Sequence, residues 1–241
     1  MCIRDRYYPF SISKNRQQEK VNLLLKNLIA FAVLALCVAG VVLSWGYSWT
    51  VRGIAMVAAL VLNYLSFDGL MRMGNWYNFN KNNGAVAVLY QMVDVTGIRD
   101  GAVAYVFVDE VASSYMGYRH LQEYLDEKNR NAEVIILDCV STGEEVFVAA
   151  PAKMQLKQEA LRDCQRGQLQ FHLLTLGNKE MEETPLSLFS KSMMIVSGSQ
   201  VDGDVVVKNT RTGKDSEADL QQLEDLADAL SRYCQTAPAQ S

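Results

Sequence analysis

Two uncharged apolar runs lie close together near the amino end of the chain. Leu28–Tyr47 contains no charged residue, and Gly53–Phe67 follows after a short connection that holds Arg52. As a helix the first run would be about 30 Å long, the hydrocarbon thickness of a bilayer. The second is short for a span, and Trp49, Thr50 and Val51 extend it if Arg52 snorkels. Trp45, Tyr47 and Trp49 cluster between the runs, and Trp76 and Tyr77 follow the second. Those are positions that suit interfacial aromatics. The pattern predicts a two-helix transmembrane hairpin over residues 28–68. The competing reading is a buried helical hairpin in a soluble core. A cleavable signal peptide does not fit, because the run is too long, lies far from the start and is followed by a second run.

After Asn78 the periodicity changes. Ala85–Val95 is helical. Ala102–Val108 (AVAYVFV) and Glu133–Leu137 (EVIIL) read as short buried strands that end in Asp109 and Asp138. Between them, Met116, Tyr118, Leu121, Tyr124 and Leu125 share one face of a helix over Tyr115–Lys128. Glu145–Ala149, Leu169–Leu176, Met193–Ser197 and Asp204–Val207 are further strands. Pro151 opens a helix through Asp163, since proline is tolerated in a first turn. Leu220, Leu223, Leu226, Ala227 and Leu230 line one side of a helix over Ser216–Tyr233. Ser197-Gly198-Ser199 and Asp202-Gly203-Asp204 read as turns. The expected fold is α/β, a mixed, mostly parallel sheet sandwiched by helices and preceded by the hairpin. Its parts are a lead over 1–27, the hairpin over 28–68, a linker over 69–83 and an α/β domain over 84–241. In such sheets chemistry gathers at the carboxyl ends of strands, which singles out Asp109 and Asp138; aspartate also commonly starts a turn.

Composition narrows the class. The chain has 241 residues, 49% hydrophobic and 21% charged, with a net charge of −4. That argues against disorder and against a nucleic-acid binder. The mean hydropathy of −0.01 averages an apolar amino-terminal part with a more polar remainder. Cys2, Cys37, Cys139, Cys164 and Cys234 are odd in number, scattered and free of any C-x-x-C, so neither a disulfide framework nor a zinc knuckle is expected. Lys14, Arg16, Lys20 and Lys26 precede the first run, and Arg72 and Lys81 follow the second. The positive-inside rule then predicts a multi-pass protein of the cell membrane with its carboxyl-terminal domain in the cytoplasm. The opening MCIRDR resembles a translated sequencing-adapter remnant, so Arg4 and Arg6 carry little weight and native sequence is expected upstream.

Four segments, in order, are similar to the motifs of the zinc aminopeptidases of metallopeptidase family 28, in a membrane-spanning subgroup. Asn80-Lys81-Asn82-Asn83-Gly84-Ala85-Val86-Ala87 resembles the segment whose aspartate bridges two zinc ions, and Lys81 holds that place. Val106-Phe107-Val108-Asp109-Glu110-Val111-Ala112, aligned on Gly117, resembles the strand that carries the general base and a ligand. Those positions are Val111 and Ala112. Ile135-Ile136-Leu137-Asp138-Cys139-Val140 resembles a ligand-aspartate segment, and Asp138 keeps the carboxylate. Asn209-Thr210-Arg211-Thr212-Gly213 resembles the segment of a ligand histidine, replaced by Arg211. The family's remaining histidine has no counterpart upstream of Lys81. Cys139 reads as a packed, inert residue rather than a ligand.

The resemblance implies a zinc-exopeptidase-like fold. A cocatalytic zinc pair needs several carboxylate and imidazole ligands and a base. Here one ligand position keeps its chemistry, two are cations and two are apolar. The expectation is a catalytically inactive, membrane-anchored homologue without a cofactor. It would bind a peptide or a membrane protein, as well as the bilayer, through Lys81, Asp109, Glu110, Asp138 and Arg211. The alternative is an active zinc aminopeptidase with unconventional ligands such as Asp109, Glu110 and Asp138. A third reading makes the hairpin the functional part. His120 and His172 lack a second ligand at diagnostic spacing, Ser113 and Ser114 lack a nearby base, and no G-x-S-x-G, GxGxxG, P-loop or H-E-x-x-H is present.

Overall fold

The computed structural model describes residues 6–43, 46, 48–71, 83–96, 103–108, 115–128, 130–208, 210 and 215–236. The chain forms two compact units, Arg16–Trp76 and the combination of Met1–Asn15 with Tyr77–Ser241.

The smaller unit is built from helices α1 (Ile12–Leu43), whose first turn belongs to the other unit, and α2 (Trp49–Met71). The transmembrane hairpin expected over 28–68 is not upheld. Among the described residues no helix is long and apolar enough to cross a membrane. The uncharged part of each helix gives the reason. Helix α1 starts at Ile12, takes in Lys14, Arg16 and Lys20, and stops at Leu43. Its uncharged part, Leu28–Leu43, is about 24 Å long, and that of α2, Gly53–Phe67, about 22 Å, against roughly 30 Å of hydrocarbon. The multi-pass localisation, its orientation and the bilayer as a partner rested on that hairpin and lose their basis with it.

The larger unit is α/β. Strands β1 (Arg6–Tyr7), β2 (Val134–Leu137), β3 (Glu145–Pro151), β4 (Phe171–Leu176), β5 (Ser192–Val201) and β6 (Asp204–Lys208) form one sheet of order β1-β6-β5-β3-β4, with β2 also on β5. Pairs β2·β5 and β3·β4 are parallel, whereas β3·β5, β5·β6 and β1·β6 are antiparallel. The sheet is mixed, as expected, but not mostly parallel. Two of the three antiparallel pairs involve β5, which reverses against β3 and turns straight back into β6. Asp202 (φ 53°) and Gly203 (φ 85°) make that two-residue turn, and the left-handed pair matches the twist of a hairpin.

Period-2 alternation sorts the core into two layers. Val146, Val148 and Ala150 of β3 and Met193 and Ile195 of β5 face one cluster. It is closed by Val88 and Met92 of α3 (Gly84–Thr96), Leu161 of α5 (Gln155–Asp163) and Leu223, Leu226, Ala227 and Leu230 of α7 (Leu220–Thr236). Ala149, Met194 and Val196 face the other cluster with Tyr7, Cys139, Leu186 and Phe189. Tyr118, Leu121 and Leu125 of α4 (Met116–Glu127) pack against it, and α6 (Asn178–Glu182) adds Met181.

Several boundaries move for identifiable reasons. Helix α7 begins at Leu220 rather than Ser216, because the Asp219 side chain accepts a hydrogen bond from Gln222 N (3.0 Å) and caps it there. Leu220, in the first turn, is then exposed. On α4, Met116 and Tyr124 stay exposed, so the buried face is narrower than the spacing suggested. Pro151 leads into a 3₁₀ turn, Ala152–Met154, ahead of α5. Val103–Val108 is irregular rather than a buried strand, with Val103, Val106 and Phe107 exposed and only Tyr105 packed on the core. β-propensity alone does not make a strand. Ser197-Gly198-Ser199 runs inside β5 rather than turning. The small residues there admit the backbone of Gly143, where an added Cβ would lie 2.5 Å from Gly198 N and 2.8 Å from the Ser197 carbonyl carbon.

Gly143→Ala is therefore expected to cost about 1–3 kcal/mol, since the contact is with backbone that cannot rotate away. Asp219→Ala, which removes a cap on an exposed helix end, should cost about 1 kcal/mol. Urea unfolding of the two variants checks both the size and the order.

Candidate functional site

Strand β2 delivers Asp138 to its carboxyl end. Asp138 N still donates to Ile195 O (3.0 Å), so the residue is anchored to the ladder. At Cys139 the backbone turns sharply with φ 57°, and Cys139 O accepts from Ser197 N (3.0 Å). The side chain of Asp138 is engaged by Tyr7 and Cys139. Its Oδ2 accepts a hydrogen bond from Tyr7 Oη at 2.7 Å, and its Oδ1 accepts one from Cys139 Sγ at 3.2 Å.

Three tyrosines approach from two directions. Tyr7 arrives on β1, where the pairing Tyr7↔Val207 fixes its register and leaves it 8% exposed. Tyr115 and Tyr118 come from the amino end of α4, with their rings edge to face at 6.3 Å. Tyr115 has φ 54° and donates from Oη to Glu183 O (3.0 Å). Of the three non-glycine residues with positive φ among those described, two, Tyr115 and Cys139, belong to this cluster. Sustained left-handed backbone at non-glycine residues costs free energy and gathers at functional sites, which singles out this one.

The electrostatics follow from burial beside one carboxylate. Tyr7 is held well above the phenol's ordinary value of 10.0, first by burial and then by the negative charge of Asp138. Tyr118 is raised for the same two reasons, in the same order. The anion is thus solvated by neutral O–H and S–H donors, and among the described residues no basic side chain pairs with it. For a zinc ion the described donors offer Asp138 and Cys139. Among the described residues no group of three His, Cys, Asp or Glu could hold a metal. A zinc site takes at least three protein ligands, so this donor set does not fit one.

Of the residues singled out in the sequence, the structure brings Asp138 and Cys139 together, and Cys139 is fully buried as expected. Lys81, Asp109, Glu110, Val111, Ala112, Ser113, Ser114 and Arg211 lie outside the described residues. The histidines lie apart from the site: His120 is exposed on α4, and His172 on β4 lies 3.9 Å from Glu145 Oε1 with its ring 5.6 Å from that of Phe147. Asp215 is buried ahead of α7. The chain matches no family model, no curated protein and no solved structure. The likeness to the zinc aminopeptidases therefore rests on its motifs, and the site is read from its own geometry.

Sequence reasoning missed Tyr7, Tyr115 and Tyr118 as site residues. The one available signal was that Tyr118 sits on a helix face that must be buried, where a phenol needs a hydrogen-bond partner.

Tyr7→Phe keeps the ring and deletes the donor to a carboxylate, so a loss of about 1.5–3 kcal/mol in unfolding free energy is expected. The linkage sign is also fixed. Phenols raised in the folded state keep protons that the unfolded chain releases, so stability is full below about pH 10 and falls as pH rises above it. Urea midpoints between pH 8 and pH 11 should decline for the parent protein and decline less for Tyr7→Phe.

Proposed function

We propose that the chain is a peptidase-like α/β domain that works by binding a peptide segment, with the zinc chemistry of the family it resembles lost. The observation that carries this reading is the engagement of Asp138, the one ligand-type residue kept in the four motifs. Both of its oxygens accept hydrogen bonds from side chains of the same chain, Tyr7 and Cys139. A carboxylate so placed is a recognition and packing group, directed at donors rather than at a cation. The sequence supports the same reading, because Lys81 and Arg211 stand at two ligand positions and neither cation can ligate a metal while protonated. Val111 and Ala112 offer no base and no ligand at two more. A net charge of −4 leaves a nucleic acid disfavoured as partner.

Elemental analysis of the purified protein should give less than one equivalent of zinc, and aminoacyl reporter substrates should not be cleaved. Two tightly bound zinc ions, or cleavage abolished both by a chelator and by Asp138→Ala, would overturn the reading in favour of an active aminopeptidase.

A further inference from the structure

Glu183, the residue that closes α6, fastens two other segments of the larger unit at once. Its Oε2 accepts hydrogen bonds from Ser13 N (2.8 Å) and Ser11 Oγ (3.2 Å) at the start of α1. Its main-chain oxygen accepts from Ile12 N (3.2 Å) and from Tyr115 Oη (3.0 Å), the latter at the start of α4. The first amides of a helix have no partner within it, and the helix dipole favours an anion beside them. Glu183 meets both needs for α1 from 170 positions beyond Ser13. The two fastened segments also carry the tyrosines of the candidate site. Tyr7 stands four residues before Ser11, and Tyr118 three residues after Tyr115. Asn15 ties Tyr7's arm to the first turn of α1, because it clamps Tyr8 through N–H (3.0 Å) and carbonyl (2.7 Å). Tyr115 has a left-handed backbone and no side-chain cap. Such a conformation persists where its surroundings hold it, and the hydroxyl bond to Glu183 is part of that hold. Lys14 pairs with Asp204 as well, but both side chains are exposed, and exposed pairs contribute little.

We propose that Glu183 is a latch for the Asp138 site: it keeps the Tyr7 arm and the start of α4 closed on the carboxylate together, and its release lets both leave together. The inference rests on the reading above in taking Asp138 as the centre of the working site, and it names how that site is regulated. The coupling follows from the shared acceptor. Ordering either segment positions Glu183 for the other, so the second loses less freedom when it docks. Helix α1 runs on past Asn15 into the smaller unit. The helix that enters that unit and the two tyrosine-bearing arms therefore share one point of attachment.

The test is amide hydrogen exchange on the full chain. It is read at Ile12 and Ser13, which bond to Glu183, and at Arg119, whose N donates to Tyr115 O (3.0 Å) in the first turn of α4. Amides of β3 serve as the reference for the sheet. Tyr115→Phe deletes the donor to Glu183 O and leaves in place every acceptor that Ile12 and Ser13 use. It should nevertheless speed exchange at Ile12 and Ser13 about fivefold relative to β3. Glu183→Ala should speed exchange at Ser13 and Arg119 alike, and Glu183→Gln, which keeps an acceptor oxygen, by less at both. Tyr115→Phe and Glu183→Gln carry the test if Glu183→Ala does not fold. Lys14→Ala, which breaks the exposed pair with Asp204, should leave Arg119 unchanged. A rise confined to α1 in Glu183→Ala, no rise at Ile12 and Ser13 in Tyr115→Phe, or a rise at Arg119 in Lys14→Ala would overturn the inference. The exchange rates make no use of zinc or of cleavage, so a failed latch leaves the non-catalytic reading standing, and the reverse holds.

Discussion

The hydrogen bond from Tyr7 to Asp138 ties together parts of the chain that nothing local would join. Strand β2 has four residues and, among those described, pairs with β5 alone. A strand held on one side needs further restraint, and here it comes from both ends. Ahead of it, Glu133 accepts a hydrogen bond from Tyr233 Oη, and Lys157 Nζ lies 3.2 Å from its other oxygen. Behind it, Asp138 receives Tyr7 and Cys139. The strand is thus moored to α7 and α5 at one end and to β1 at the other. Leaving either carboxylate without donors in these part-buried positions would cost more than the few ladder bonds supply.

The two moorings differ in kind. Glu133 has the Lys157 ammonium beside it at 3.2 Å, and burial first and Glu133 second still raise Tyr233 and Cys234. Asp138 is balanced among the described residues by donors that carry no charge. Burial first and the charge of Asp138 second raise the phenols of Tyr7 and Tyr118.

Legibility in the sequence followed the range of the interaction. Helix α7 was readable from Leu223, Leu226, Ala227 and Leu230, because their spacing is a property of one segment. The turn at Asp202-Gly203 was readable because that pair tolerates left-handed backbone. Strand β3 was readable from a run of apolar residues buried on both faces. What could not be read depends on distant partners. Tyr7 meets Asp138 across 131 positions of sequence. The segment Val103–Val108 looks like a strand and is irregular. The apolar runs suggested spans, but among the described residues the uncharged part of each helix is too short for one. Within the site, the carboxylate was visible from its position after EVIIL, and the phenols around it were not.

Cys139 imposes two unrelated demands on one position. Its backbone is left-handed, which favours glycine or asparagine and excludes branched side chains. Its side chain is wholly buried and donates to Asp138, which calls for a small group with a polarisable hydrogen. Glycine meets the first demand and fails the second, and serine offers a stronger donor at the price of a polar atom in the core. Few side chains satisfy both, so position 139 should drift slowly among related chains even though it lies outside the ladder and beneath the surface. A survey of natural variants would find the site's imprint in the narrowness of that one alphabet.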